Sequence, residues 1–154
     1  MSDIVVTELR PDDRARWNVL RRGYLEFYET SLPDAVYDHT WQRLMVPGPI
    51  FGFGVRLGDP SAPLVGIAHY LFHDHAWSAQ QVCYLQDLFV DAAVRGKGAG
   101  RALIERVGQI AQQRDCLRMY WTTKQDNATA RLLYDRLAKF NGFIRYDYAP
   151  RRGL

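Results

Sequence analysis

Two apolar rhythms run along this chain, and the switches between them outline its elements. Residues 4–8 (Ile-Val-Val-Thr-Glu) form a short β-rich run, closed by Arg10-Pro11-Asp12. Asp12 or Asp13 can cap the helix that follows. Trp17, Leu20, Tyr24, Leu25 and Tyr28 recur at helical spacing, which predicts a helix to about residue 28. Leu32-Pro33 breaks it. A second helix over about residues 34–45 carries Val36, Tyr37, Trp41 and Leu44, and Pro47-Gly48-Pro49 stops it. Residues 50–57 and 64–72 read as strands around the turn-rich stretch 58–63, hence an antiparallel hairpin. A polar connection over 73–81 then leads to a third long strand, 82–90.

Beyond a glycine-rich stretch, Leu103, Ile104, Val107, Ile110 and Ala111 make the apolar stripe of a helix over about 99–114. Residues 117–122 predict a strand. Asp126 or Asn127 caps a last helix to about residue 140, with Ala130, Leu133, Tyr134 and Leu137 on one face, and Asn141-Gly142 ends it. Residues 143–148 predict a final strand. The order β-α-α-β-β-β-α-β-α-β predicts a mixed α/β (α+β) layer fold around one sheet, in a single domain spanning 1–154.

Composition narrows the class without naming a function. With 47% hydrophobic residues, 24% charged residues and a net charge of +3, the chain is an ordinary globular one, too mildly basic to point to nucleic acid. Neither a signal sequence nor a membrane-length apolar run is visible, so no membrane partner is expected and a cytoplasmic protein is predicted. Cys83 and Cys116 lie far apart without metal-ligand spacing, and read as free thiols in a reducing compartment. His69, His73 and His75 cluster around Asp74, but they straddle a strand end and a turn. No metal is expected there, and polar residues near an acceptor mouth are the better account.

The strongest local signal is Arg95-Gly96-Lys97-Gly98-Ala99-Gly100-Arg101, lying between a strand and a helix. Glycines let backbone amides approach an anion, and a helix start offers unpaired N–H groups at the positive end of its dipole. Three cations crowd this end, while the first carboxylate on the helix is Glu105. Cations there oppose the helix dipole unless an anion is bound. The spacing fits neither the G-x-x-x-x-G-K-[ST] loop nor the dinucleotide fingerprint, whose third glycine is replaced here by Arg101.

On these residues the chain resembles the GNAT superfamily of N-acetyltransferases, whose signature [QR]-x-x-G-x-[GA] is matched by Arg95 to Gly100. The segment Asn127-Ala-Thr-Ala-Arg-Leu-Leu-Tyr134 is similar to the family's N-x-x-A-x-x-[LF]-Y stretch. Tyr84-Leu-Gln-Asp-Leu-Phe-Val90 and Gly142-Phe-Ile resemble its polyamine and histone-type members. The resemblance implies a mostly antiparallel sheet flanked by helices, acetyl-CoA as co-substrate and a primary amine as acceptor. It implies pantetheine pairing along Leu88, Phe89 and Val90. It also implies diphosphate contacts from Arg95, Gly96, Lys97, Gly98, Ala99, Gly100 and Arg101, a cofactor contact from Asn127, and Tyr134 as proton donor to the departing thiolate.

Acyl transfer from a thioester requires a neutral amine, a stabilised oxyanion and a proton for the sulfur. An alkyl ammonium with pKa near ~10.4 is neutral in only about one molecule per thousand at neutral pH. Within the strand 82–90 the alternation breaks at Gln86-Asp87, which predicts a β-bulge able to turn a backbone amide toward the reacting carbonyl. Polyamine relatives often carry Glu where this chain has Gln86, and Gln takes no proton. Asp87 should face the other side of the strand unless the bulge re-aims it. Glu26 and Glu29 are alternatives acting through water. Tyr28 and Glu29 are candidates for the acceptor pocket.

Three readings of function follow. The first is a small polyamine-like or amino substrate, the second a protein lysine or N-terminus, and the third a non-catalytic acyl-CoA-binding module. One strand after the last helix, where the family usually has two, suggests a homodimer that completes the sheet edge.

Overall fold

The computed structural model describes residues 3–46 and 48–150. Pro47, expected to help stop the second helix, and the basic pair Arg151-Arg152 lie outside the described residues. The chain divides into two compact units, Met1–Thr122 and Thr123–Leu154.

The first unit contains β1 (Ile4–Glu8), α1 (Arg14–Phe27), α2 (Asp34–Met45), β2 (Phe51–Leu57), β3 (Leu64–His75), β4 (Ser78–Val90), α3 (Ala99–Gln113) and β5 (Met119–Tyr120). The sheet order is β1-β2-β3-β4-β5. The first four strands pair antiparallel, and β5 joins β4 in parallel. This is the single mixed sheet that the residue pattern predicts, mostly antiparallel as the family resemblance implies. On one face, Ile67 packs into a cluster with Trp17, Leu20, Trp41, Leu44 and Leu64 from α1, α2 and the start of β3. On the other, Phe51, Phe53, Tyr70 and Phe72 form an aromatic ladder. The guanidinium groups of Arg106 and Arg114 on α3 lie over this ladder.

Asp13 heads α1, but its carboxylate does not cap the helix. It accepts from the Arg10 amide and pairs with Arg56 at 2.6 Å, tying the helix start to β2.

Two predicted boundaries shift in this unit. The connection expected over 73–81 is instead the far end of the β3–β4 hairpin, where His75 opposes Ser78 across Ala76 and Trp77. The ladder is made of backbone hydrogen bonds, so a polar run there keeps strand geometry. Gln81 Nε2 donates to Asp74 Oδ1 across it. The strand expected over 117–122 shrinks to Met119–Tyr120, opposite Cys83 and Tyr84.

In the second unit, α4 spans Ala128–Leu137. It therefore ends earlier than the predicted residue 140. The final strand expected over 143–148 is absent. Phe143, Ile144, Tyr146 and Tyr148 are exposed. A run with strand composition becomes a strand only beside a partner that completes its ladder.

No helix among the described residues is long and apolar enough to cross a membrane.

Candidate active site

The site is organised by an irregularity in β4. Along the hairpin, Tyr70 opposes Leu85 but His69 opposes Asp87, so Gln86 is an extra residue without an opposite number. This is the bulge that the broken alternation predicts. Leu85 and Asp87 would share a face in a regular strand. The inserted residue instead carries Asp87 to the side of His69, where α1 lies. Gln86 is exposed beside it.

Asp87 enters a ready-made set of donors. His69 Nδ1 and Arg21 Nη1 each lie 2.8 Å from Asp87 Oδ2, and the Tyr24 hydroxyl also bonds this carboxylate. On its other side, His69 Nε2 accepts from the Trp17 indole at 3.0 Å. Burial pushes the Asp87 carboxyl up, but the His69 hydrogen bond, the Arg21 charge and the Tyr24 hydroxyl together hold it below the usual carboxylate value. The same arrangement acts on Tyr24, whose hydroxyl is pushed up by burial and by the Asp87 charge. Asp87 is thus a fixed anion of low basicity.

Sequence patterning missed Trp17, His69 and Arg21 as site residues. Trp17 registered only as an apolar helix position, and His69 only as part of a turn cluster. The available signal was a lone polar residue inside the apolar run Gly66-Ile-Ala-His-Tyr-Leu71.

Beyond Tyr84 the parallel ladder to β5 stops. From Leu85 to Val90, β4 pairs with β3 on one side, and its outer edge makes no further ladder pair among the described residues. Leu88, Phe89 and Val90 lie on this stretch. Phe89 packs edge-on to Tyr24, which in turn touches Tyr28.

The edge leads through a short 3-10 turn, Ala92–Val94, to the glycine-rich loop. Gly96 (φ +83°) and Gly98 (φ +87°) are both left-handed, flanking Lys97. Left-handed residues in such a loop can turn neighbouring amides toward a bound anion. Gly98 is the N-cap of α3 and offers no side-chain cap. The first helical bond runs from the Ala102 amide to Gly98 O, so the amides of Ala99, Gly100 and Arg101 precede the ladder.

The three cations are placed differently. Arg95 turns back, its Nε 3.3 Å from Val90 O and its guanidinium over Phe89. Arg101 pairs with Glu105 at 2.8 Å, and Lys97 is exposed.

Glu29 follows α1 with φ +56°. The Thr30 amide donates to Leu25 O and the Glu29 amide to Glu26 O, a helix-ending motif that usually places glycine where Glu29 stands. Tyr28 and Glu29 are both exposed here.

Asn127 and Tyr134 belong to the second unit. Asn127 precedes α4 and its Nδ2 donates to Thr123 Oγ1, while Tyr134 is half-buried on the helix. Among the described residues no group of His, Cys, Asp or Glu could hold a metal ion.

The sequence model of the acetyltransferase (GNAT) family matches residues 17–140, most of the chain and part of both units. The chain belongs to the GNAT family. A D-amino-acid N-acetyltransferase of Saccharomyces cerevisiae is 35% identical over 135 residues, covering 88% of this chain and 84% of the relative. A thialysine N-epsilon-acetyltransferase of Bos taurus is 31% identical over 81 residues, covering 52% of this chain and 47% of its own. Among solved structures, the aminoglycoside acetyltransferase AAC(6')-Iy with a CoA bisubstrate analogue superposes with a TM-score of 0.82. That match has 18% identity and covers 97% of this chain and 99% of the other. At that identity it speaks for the fold alone. The GNAT chain described here is therefore an N-acetyltransferase, and the residues around β4 and the start of α3 are its candidate machinery.

Proposed function

We propose that this GNAT enzyme moves the acetyl group of acetyl-CoA onto the primary amine of a small amino-acid-like or polyamine-like compound. One observation carries the reading: the open outer edge of β4 runs directly toward the left-handed pair Gly96 and Gly98 at the start of α3. An amide-bearing arm can pair along Leu88, Phe89 and Val90, as another strand would, with its diphosphate at the first amides of α3. Arg95, Lys97 and Arg101 add charge there, and Gly96, Gly98, Ala99 and Gly100 add close backbone.

In the reaction, the amine nitrogen attacks the thioester carbonyl carbon, the new C–N bond forms, and the C–S bond breaks. The amine gives up one proton and the departing sulfur takes one. A backbone amide at the Gln86 bulge is suited to the transient oxyanion. Gln86 can offer hydrogen bonds but takes no proton. Asp87, already saturated with donors, acts as a fixed negative charge rather than a base. We take Glu29, with Tyr28 beside it, as the group that accepts the amine proton through water, with Glu26 as the alternative. Roles for Asn127 at the cofactor and Tyr134 as donor to sulfur rest on the family motif alone.

The choice of a small amine is supported by the D-amino-acid and thialysine activities of the two relatives. We extend the proposal to a single catalytic domain, a cytoplasmic location consistent with two free cysteines, and a homodimer in which a partner covers the exposed 143–148 segment.

A thiol-release assay tests the reaction, with acetyl-CoA and a panel of D-amino acids, S-aminoethylcysteine and polyamines. Turnover on at least one of these amines is expected. Binding of acetyl-CoA without thiol release across the panel would refute it. A single sedimenting species of monomer mass at micromolar concentration would refute the dimer.

A further inference from the structure

The hydrogen bonds behind the bulge determine one another. Indole nitrogen only donates, so His69 Nε2, 3.0 Å from Trp17 Nε1, must accept and carries no proton. The imidazole's hydrogen therefore sits on Nδ1 and points at Asp87 Oδ2, 2.8 Å away. Arg21 Nη1 donates to the same oxygen at 2.8 Å. Trp17 is fully buried and His69 is 3% exposed, so neither can exchange its partner for water.

This set of bonds exists in one strand register only. Without the bulge, Gln86 would oppose His69. Asp87 would then move to the face of Tyr70 and Phe72, leaving the His69 and Arg21 donors without their carboxylate.

We propose that Trp17, His69 and Arg21 are positioning residues that lock the β4 bulge: by fixing His69 in one tautomer and Asp87 on one face, they set where the Gln86–Leu88 backbone amides point. The lock's catalytic consequence rests on the proposed acetyl-transfer reading, which gives an amide at the bulge to the thioester oxyanion. His69 itself takes no proton in the reaction, since its only lone-pair nitrogen is occupied by the indole.

Two measurements separate the lock from that reading. Nitrogen-15 spectra of histidine-labelled protein at neutral pH should show His69 protonated on Nδ1 and bare on Nε2. The amide resonances of Gln86 to Leu88 should move in His69→Phe and return toward wild-type positions in His69→Asn, whose amide can donate to Asp87. Trp17→Phe removes only the indole donor, so the nitrogen-15 resonance of the freed His69 Nε2 should move while Nδ1 stays protonated toward Asp87. These readouts need no acceptor. In the thiol-release assay, His69→Phe and Trp17→Phe should lose about ten- to a hundredfold in kcat, the scale of a small misplacement at a reacting centre. The KM for acetyl-CoA should change little, and His69→Asn should recover most of the loss. Phe53→Leu, on the opposite sheet face, controls for lost stability and should leave kcat alone.

An Nε2-protonated His69 in the wild type, or unmoved Gln86–Leu88 amides in both His69→Phe and Trp17→Phe, would overturn the lock. Moved amides with kcat within twofold of wild type would overturn its catalytic role. If no amine on the panel is turned over, the spectra still decide the lock, and the failure belongs to the acetyl-transfer reading.

Discussion

The two faces of the sheet are built by different physics. On the α3 face, Phe51, Phe53, Tyr70 and Phe72 stack under Arg106 and Arg114, and the contacts are broad and weakly directional. On the α1 face, Trp17, His69, Asp87 and Arg21 join through hydrogen bonds of 2.8 to 3.0 Å, and each partner fixes the next. Dispersion and burial tolerate small shifts, whereas a directed buried network does not. The same strands supply both faces, and the inserted Gln86 is what moves Asp87 from one to the other. Both faces carry buried apolar side chains, but only the α1 face adds a directed polar network, and it is this network that we propose sets the geometry of the site.

Substitutions on the two faces should therefore separate stability from turnover. The largest effect is expected from Phe53→Ala, which should lower stability by about 3–5 kcal/mol, as for large aromatic truncations. Chemical denaturation measures that loss, and kcat at a permissive temperature should stay near wild type. Asp87→Asn should do the reverse, cutting kcat by about a hundredfold through misplacement at the reacting centre, with a smaller drop in melting temperature than Phe53→Ala. Equal losses of kcat in both variants would erase the distinction.

Acid sharpens the comparison further. Burial pushes Asp13 up, but its bonds from Arg56 and the Arg10 amide outweigh that and hold it below the usual carboxylate value. Asp87 is held low as well. For both, the folded chain binds protons less readily than the unfolded chain. Their stabilisation is complete above the unfolded carboxylate pKa of about 4, and is lost as pH falls through the lower folded values. Melting temperature should be flat from neutral to weakly acidic pH and then drop. Asp13→Asn should lower the plateau and flatten the drop.

The smallest effect comes from matched helix ends. Glu29 after α1 and Asp115 after α3 are both left-handed, at φ +56° and +55°, in the same helix-ending motif. Replacing either with glycine relieves a conformation that costs about 1–2 kcal/mol in other residues, partly offset by glycine's greater freedom when unfolded. A similar small gain in melting temperature is expected at both positions. Only Glu29→Gly should also lower kcat, because of these two residues only Glu29 is proposed to take the amine's proton.

Much of this layout was legible in the sequence. Helical spacing of Trp17, Leu20 and Leu25 found α1, the stripe from Leu103 to Ala111 found α3, and the broken alternation at Gln86-Asp87 found the bulge. Each is a local pattern with a local cause. What escaped depends on pairing. The β3–β4 hairpin continues through His73 to Gln81 because backbone bonds hold a polar run in register. The run Phe143 to Tyr148 stays irregular because composition alone supplies no partner strand. The His69–Trp17 bond joins residues 52 positions apart, and no sequence period reports it.

In the proposed mechanism, the left-handed glycines before α3 hold the diphosphate of coenzyme A. Gly98 has φ +87°, and a Cβ there would meet Ile4 Cδ1 at 3.3 Å, so Gly98→Val must rearrange the loop. Isothermal titration with coenzyme A and with pantetheine, which lacks the diphosphate, tests this directly in both proteins. The account predicts that Gly98→Val weakens coenzyme A by about tenfold or more, near 1.4 kcal/mol, while pantetheine binds both proteins equally weakly. Wild-type affinity for coenzyme A in a folded Gly98→Val protein would contradict it.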